Sequence, residues 1–471
     1  MPTVTRDPGR RTTTNAATEI GQLAEALDAP RLGEEMHALL RELYPICRSI
    51  TGEGLRRSLL TLRRLAPLEL REVPSGTSVF DWVVPKEWNL RAARLTAPSG
   101  EVIADAQWLN LHVLNYSAPF RGRIPLEELQ RHLYSIPEKP DLVPYRTSYY
   151  KEEWGFCLAD RIRASLSPGL YDVLIDSSLE IGSLTYGELV LPGATTGEVL
   201  ISAHCCHPSL ANDNLSGMVL AGTLAHLMEG LPLRYTYRFL FVPGTIGAIA
   251  WLARNEDRTA LIRHGLVVAC VGDEGPFHYK RSRRGGAEID RAVAYVLRHC
   301  GESYELRDFS PYGYDERQYC SPGFDLPVGS LTRTPHGEYP EYHTSGDNPA
   351  LVKPNQLVSS LRRYLEVCQV LEGNRRYINL SPKCEPQLGK RGLYGPIGGQ
   401  SHAVAHQAAM LWVLNQSDGR ASLLEIAERS QLPFQVVLAA AQALQDAGLL
   451  AEQPAEGQGV LSGNAPPGGA P

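Results

Sequence analysis

From Tyr171 to Gly373, stretches of strand character alternate with stretches of helical character, and this pattern constrains the fold more than any other feature of the chain. YDVLIDSSL, GELVLPG and EVLISAHCC read as strands, and LSGMVLAGTLAHLMEG as an apolar helix. YTYRFLFVPG and GLVVACVGDE read as buried strands, separated by the helical AIAWLARNEDRTALI. IDRAVAYVLRHCG and NQLVSSLRRYLEVCQVLEG supply two more helices. Continuous apolar runs, rather than alternating ones, are what a strand needs when both faces are covered. The pattern therefore predicts an α/β fold with a mainly parallel sheet flanked by helices. In such sheets functional groups gather in the loops beyond the carboxyl ends of the strands.

The chain on either side divides by texture. Residues 31–80 carry two helical patterns, the second opened by Thr51 as a cap, and join 146–375 to form the core. Between them, 81–145 is broken by Pro and Gly into short β-branched and aromatic runs, which predicts an inserted β-rich domain. After the Pro/Gly-rich joint EPQLGKRGLYGPIGG, residues 376–452 read as a winged-helix-like domain of three short helices with a tight turn at RSQLP. Residues 1–30 read as a disordered leader and 453–471 as a disordered tail of mostly Gly, Pro and Ala.

Length and charge set outer limits on function. A chain of 471 residues is expected to form two or three domains. A net charge of −6 argues against wholesale binding of nucleic acid or anionic membrane. No apolar run reaches the roughly 18 residues of a membrane span, and the N-terminus has no apolar signal core, so a cytoplasmic location is expected. The nine cysteines are scattered without a CxxC pair, as expected of reduced core residues rather than a disulfide scaffold.

One stretch carries chemistry. The strand EVLISA runs directly into His204, with His207 three residues on and Asp213-Asn214 beyond. Two imidazoles and a carboxylate past a strand end suit zinc, which takes nitrogen and oxygen ligands in a tetrahedral shell. Either histidine could equally be an ordinary hydrogen-bonded loop residue. Cys205 and Cys206 are adjacent and point to opposite sides, so they are not expected to share one ion. Later strand ends and loops add Asp273, Glu274, Asp315, Glu316, Glu341, His343 and Asp347.

The order of these motifs resembles the co-catalytic zinc aminopeptidases. More closely, SAHCCHPSLANDNLSG, YGYDERQYCSPGFDLPVGSLTRT, YPEYHTSGDN and EPQLGKRGLYGPIGG resemble a bacterial group of aminopeptidase-like proteins with an inserted β domain and a C-terminal winged helix. The resemblance implies metal ligands at His204, Asp213, Asp273 and His343. It also implies Glu-Glu after RFLFVP, the first as general base and the second as ligand, but this chain has Gly244-Thr245 there. Glycine has no side chain to move a proton. Cys206 stands where the family has an Asp that orients the imidazole. The expectation is one zinc ion rather than two, held by three or four of His204, His207, Asp213, Asp273 and His343. Glu274, Asp315, Glu316 and Glu341 are then the candidates for the general base or for binding a substrate amine.

These readings imply a zinc-dependent, aminopeptidase-like hydrolase of small peptides or aminoacyl amides. The alternatives are an amide hydrolase of a biosynthetic metabolite, or a non-catalytic metal-binding or protein-interaction protein on a peptidase fold. DNA binding by the last domain is not expected, because residues 421–452 hold a single Arg and no Lys. That domain is expected to pack against protein or to serve in a homo-oligomer.

Overall fold

The computed structural model describes residues 15–393 and 401–453. Its centre is an eight-stranded sheet: β1 (Glu69–Pro74), β2 (Ser183–Leu191), β3 (Glu198–His204), β4 (Thr236–Val242), β5 (Ile262–Val268), β6 (Phe277–Lys280), β7 (Tyr304–Arg307) and β8 (Val328–Thr332). The spatial order is β1-β2-β4-β3-β5-β8-β6-β7. The middle strands β4, β3, β5 and β8 are parallel, while β1, β2 and the β6–β8 pairing are antiparallel. The parallel centre is the part the continuous apolar runs foretold.

Alternation along those runs feeds two separate cores. Val199, Ile201 and Ala203 of β3, with Tyr237, Phe239 and Phe241 of β4, face one apolar layer. Leu200, Leu240 and Val242 face the other. Helices α1 (Ala16–Glu25), α2 (Ala29–Leu43), α3 (Glu53–Leu62) and α4 (Gly217–Met228) contribute to the first layer, and α5 (Ile246–Arg254) to the second. The helices α6 (Glu288–His299) and α7 (Pro354–Gly373) close the first face. Within the sheet, buried Arg238 is ion-paired to Glu198 at 2.7 Å and to Glu188 at 2.6 Å. Removing one member of such a set strands a buried charge and costs about 3–5 kcal/mol.

The structure corrects several expectations. Residues 1–30 do not behave as one leader: Ala16–Glu25 is a helix, its apolar face buried in the core, capped by the Asn15 side chain on Thr18 N. Residues 1–14, part of the joint (394–400) and the tail from 454 lie outside the described residues. Thr51 does not cap α3. Gly52 occupies the cap at φ 99°, a left-handed geometry open to glycine, while Thr51 bonds to the backbone of Lys86 and Trp88.

YDVLIDSSL does not join the main sheet. It forms the strand Leu170–Glu180, antiparallel to Glu87–Thr96 and Phe120–Pro125 in a separate four-stranded sheet. The β-rich unit therefore draws on a strand beyond 81–145, which lies in the interior of the small sheet and pairs on both sides. The final domain adds three strands to its expected helices: Arg376–Asn379, Asp418–Ser422 and Leu450–Glu452. Its third helix, Phe434–Asp446, buries Phe434, Val437, Ala440 and Ala441 in the main core. The first amide of that helix, Phe434 N, donates to Tyr295 Oη on α6 at 2.8 Å. Among the described residues no helix is long and apolar enough to cross a membrane.

Candidate metal centre

His204 is the last residue of β3, paired in register with Val242 at the end of β4. Both strands stop there, and the chain past each returns over the same carboxyl edge. Asp213 arrives on the turn before α4, and that turn is held from outside. The backbone N–H groups of Ala211, Asn212 and Asp213 all donate to the Asp347 carboxylate, at 3.1, 2.6 and 3.0 Å. Asp347 also accepts from Tyr339 Oη at 3.0 Å. One carboxylate thus ties the Asp213 turn to the loop that carries His343. Asn214 completes the floor by donating to His204 O at 3.2 Å and to Val268 O at 2.9 Å. The Asp213–Asn214 and Gly244–Thr245 peptides are both cis.

The side chains converge on Asp213. His204 Nε2 lies 2.8 Å from Asp213 Oδ1 and His343 Nε2 lies 3.0 Å from Oδ2. Tyr314 Oη donates to Oδ1 at 2.7 Å, and its ring stacks on His204. His207 sits with its ring 4.8 Å from that of His204 and 5.2 Å from that of His343. One ligand atom from each of His204, His207 and Asp213 falls within 4.8 Å of the others, a group that could hold a metal ion. Burial opposes ionisation of Asp213, yet His207, His204 and His343 hold its carboxyl well below the usual range. Burial likewise drives His207 well below the ordinary imidazole value, leaving a neutral ring with a lone pair to give.

Asp273 is not brought into this cluster. The strand that was expected to end at Asp273 and Glu274 stops at Val268, because Cys270 turns the chain at φ 49°. The Asp273 carboxylate is instead taken up by Asn212 Nδ2, Gly275 N and Thr334 Oγ1, at 2.8, 2.7 and 2.5 Å. Glu274 is exposed on the following turn. Glu316 is buried and ion-paired with Lys280 at 2.5 Å, and Glu341 packs beneath Gly346. Cys205 and Cys206 separate into the two apolar layers, and burial pushes the Cys206 thiol up to about 12.

Asp315 stands apart from the other acids. It is fully buried, and neither carboxylate oxygen has a hydrogen-bond partner among the described residues. A first side-chain carbon built on Gly244 would lie 3.2 Å from His204 Cβ and 3.7 Å from Asp315 Oδ1. The missing side chain at 244 and the unpartnered carboxylate therefore share one small space. Burial pushes Asp315 up to about 7, opposed by the charge of His204.

Beside this space is a cavity of about 380 Å³, lined by His207, Gly244, Thr245, Tyr314 and Arg317, with Trp82, Tyr149 and Tyr150 forming an aromatic wall. Sequence reasoning missed Tyr314 and Tyr145. Tyr314 lies inside the quoted YGYDER run but carries no metal-ligand chemistry of its own. Tyr145, whose ring meets both His207 and His343 edge-on, comes from a Pro-interrupted loop with no periodic signal.

Comparison with known proteins matches this architecture. A family model described as "Domain of unknown function (DUF4910)" covers residues 37–374, and one described as a winged helix-turn-helix covers 375–452. A Clostridium acetobutylicum protein, provisionally named for polysaccharide biosynthesis with an aminopeptidase-like domain, is 51% identical over 412 residues, 88% of this chain and 95% of its own. A crystal structure of a provisionally named peptidase from the same species has TM-score 0.87 and 48% identity, covering 93% of this chain and 100% of that one. A zinc aminopeptidase of Bacillus subtilis has TM-score 0.52 at 13% identity, covering 71% of this chain and 93% of its own. A peptidase M28 precursor of Shewanella amazonensis has the same TM-score at 14% identity, covering 76% and 96%. The last two share the fold of the core and carry nothing further.

Proposed function

The chain belongs to the family described as "Domain of unknown function (DUF4910)", and we propose that it is a zinc-dependent, aminopeptidase-like hydrolase of small peptides or aminoacyl amides. The observation that carries the reading is the convergence of His204, His207 and Asp213, with His343 on the second oxygen of Asp213, beside a buried and unpartnered Asp315. Two imidazole nitrogens and a carboxylate oxygen of this kind fit zinc. Three or four ligands suit one ion, since Thr245 stands where a second acidic ligand was implied and the Asp273 carboxylate is taken up by Asn212, Gly275 and Thr334. When bound, zinc would supply Lewis acidity for the scissile carbonyl and for water.

The rest falls to the chain. Asp315 is the group we assign to accept the proton from water. Its carboxyl, pushed up to about 7 by burial, can hold or release a proton near neutrality. Gly244 leaves the gap through which that carboxylate reaches the site. Tyr314 and Asp347 fix the orientation of Asp213 and its turn. Arg317 puts a positive charge on the cavity wall, and its Nε has no partner among the described residues, which suits an anionic group on the substrate. Trp82 and Tyr150 cover the entrance and limit it to small substrates.

A second reading is favoured by the provisional name of the relative, which refers to polysaccharide biosynthesis. On that reading the same residues cleave an amide on a biosynthetic metabolite, such as an N-acylated amino sugar. Metal analysis of the purified protein, followed by parallel assays on aminoacyl anilides and N-acyl amino sugars, separates the two. About one zinc per chain with turnover of an anilide is expected. Failure to take up zinc would sink both readings, and zinc without turnover of either substrate class would leave a metal-binding protein that is not a hydrolase.

A further inference from the structure

The amino ends of the central strands hold a second cavity, larger than the first and far richer in arginine. It encloses about 860 Å³ where the starts of β4, β5 and β8 meet the final domain. Six arginines line it (Arg234, Arg263, Arg284, Arg375, Arg376 and Arg420) against two glutamates, Glu288 and Glu452. In a chain of net charge −6 this is a pronounced local excess of cation.

Part of that charge is already used. Arg375 is ion-paired with Glu452 at 2.6 Å and Arg284 with Asp325 at 3.3 Å. Arg376 Nε donates to Arg420 O at 3.0 Å, and the Arg234 guanidinium lies 4.9 Å over the Tyr235 ring. Two others are left for a ligand. Arg263 makes no ion pair or side-chain hydrogen bond among the described residues, and Arg420 has only Asp418 at 3.9 Å. His264 adds a separate sign of a missing partner. It is 4% exposed, lies edge-on to Tyr235 and lines the cavity, and neither ring nitrogen has a hydrogen-bond partner among the described residues. A buried polar group without a partner is costly to fold, and this one lies directly behind the cavity wall.

We propose that this cavity binds a soluble small molecule carrying a diphosphate group. Guanidinium forks match phosphate oxygens two at a time, and charges on several sides of one space call for more than one anionic group in the ligand. A cavity of this volume takes a compound of nucleotide size. The walls come from both the core and the final domain, so the ligand also bridges the two.

Calorimetric titration of the full-length protein with inorganic pyrophosphate, with ADP and with a short DNA duplex tests the proposal. Saturable binding of pyrophosphate or ADP is expected, weakened about tenfold or more in the double variant Arg263→Ala, Arg420→Ala. Both side chains are exposed, so the melting temperature of the unliganded variant should match the parent. The single charge reversal Arg263→Glu, which adds repulsion, gives an independent second measurement of the same loss. ADP binding more tightly than pyrophosphate assigns part of the cavity to a nucleoside, and equal binding assigns it to the diphosphate alone. No saturable binding of either small molecule, unchanged binding in both variants, or binding of the duplex only would overturn it.

Discussion

The two ends of the central sheet present contrasting sets of side chains. At the carboxyl end, His204 and Asp213 are completely buried, and hydrogen bonds to Asp347, Asn214 and Tyr314 hold the surrounding turn and side chains in place. At the amino end, arginines from six positions surround a wide space, several of them exposed and only partly paired. A single small cation needs donors fixed to within a fraction of an ångström, and that precision comes from burial and a network of fixed partners. An extended anion needs summed field over a larger area, which long and partly mobile guanidinium side chains supply. The contrast predicts that the two ends respond differently to substitution.

The largest effect is expected at Asp213, where both imidazole contacts meet. Asp213→Ala should abolish stoichiometric zinc uptake, measured by metal analysis, while diphosphate binding at the far end stays within error of the parent. If it instead removes both, the ends are coupled and the comparison fails.

Asp315→Asn comes next, with a loss of hydrolysis on the order of 10²–10⁴ and retention of zinc. Because a base works only when ionised, activity of the parent should fall as pH drops below about 7. That acid limb should be missing from the residual activity of the variant. The sign for stability runs the same way. A carboxyl raised from 3.8 to about 7 on folding binds more protons in the folded state across that window. Metal-free parent should therefore lose stability relative to Asp315→Asn as pH rises from 3.8 to about 7.

Gly244→Glu sharpens the same point. A carboxylate begun 3.7 Å from Asp315 Oδ1 repels it and crowds His204, so activity should fall. A rise would mean that the general base is simply absent and Asp315 does not replace it. Tyr314→Phe removes one hydrogen bond to Asp213 and should weaken zinc affinity about 10–100-fold, read by competition with a chelator. Smallest of all, the Arg263 and Arg420 changes should cost about tenfold in diphosphate affinity with zinc content unchanged, because no single arginine dominates a diffuse site.

Much of the carboxyl-end site was legible in the chain. His204 ends a strand that is buried throughout, and His207 and Asp213 follow it closely in sequence, so their proximity is enforced locally. His343 was legible only through resemblance, because 130 residues separate it from Asp213. Asp273 misled for a physical reason. The run GLVVACVGDE reads as one strand, but the left-handed turn at Cys270 cannot be inferred from a residue type that seldom adopts it. The strand Leu170–Glu180 misled similarly, since an apolar run does not say which sheet it will enter.

The sequence by itself determined the parallel centre of the sheet, because continuous apolar runs are stable only when both faces are buried. It also determined the nucleus of the candidate metal centre, because short spacing past a strand end keeps those side chains close together. Only the tertiary structure decided which distant groups complete each site. It diverted Asp273 to Thr334, set an unpartnered Asp315 against the gap at Gly244, and gathered six arginines from dispersed loops and strands around one cavity. Those outcomes depend on how loops cross the ends of a sheet, and loop paths are governed by contacts between residues that share no periodicity in the chain.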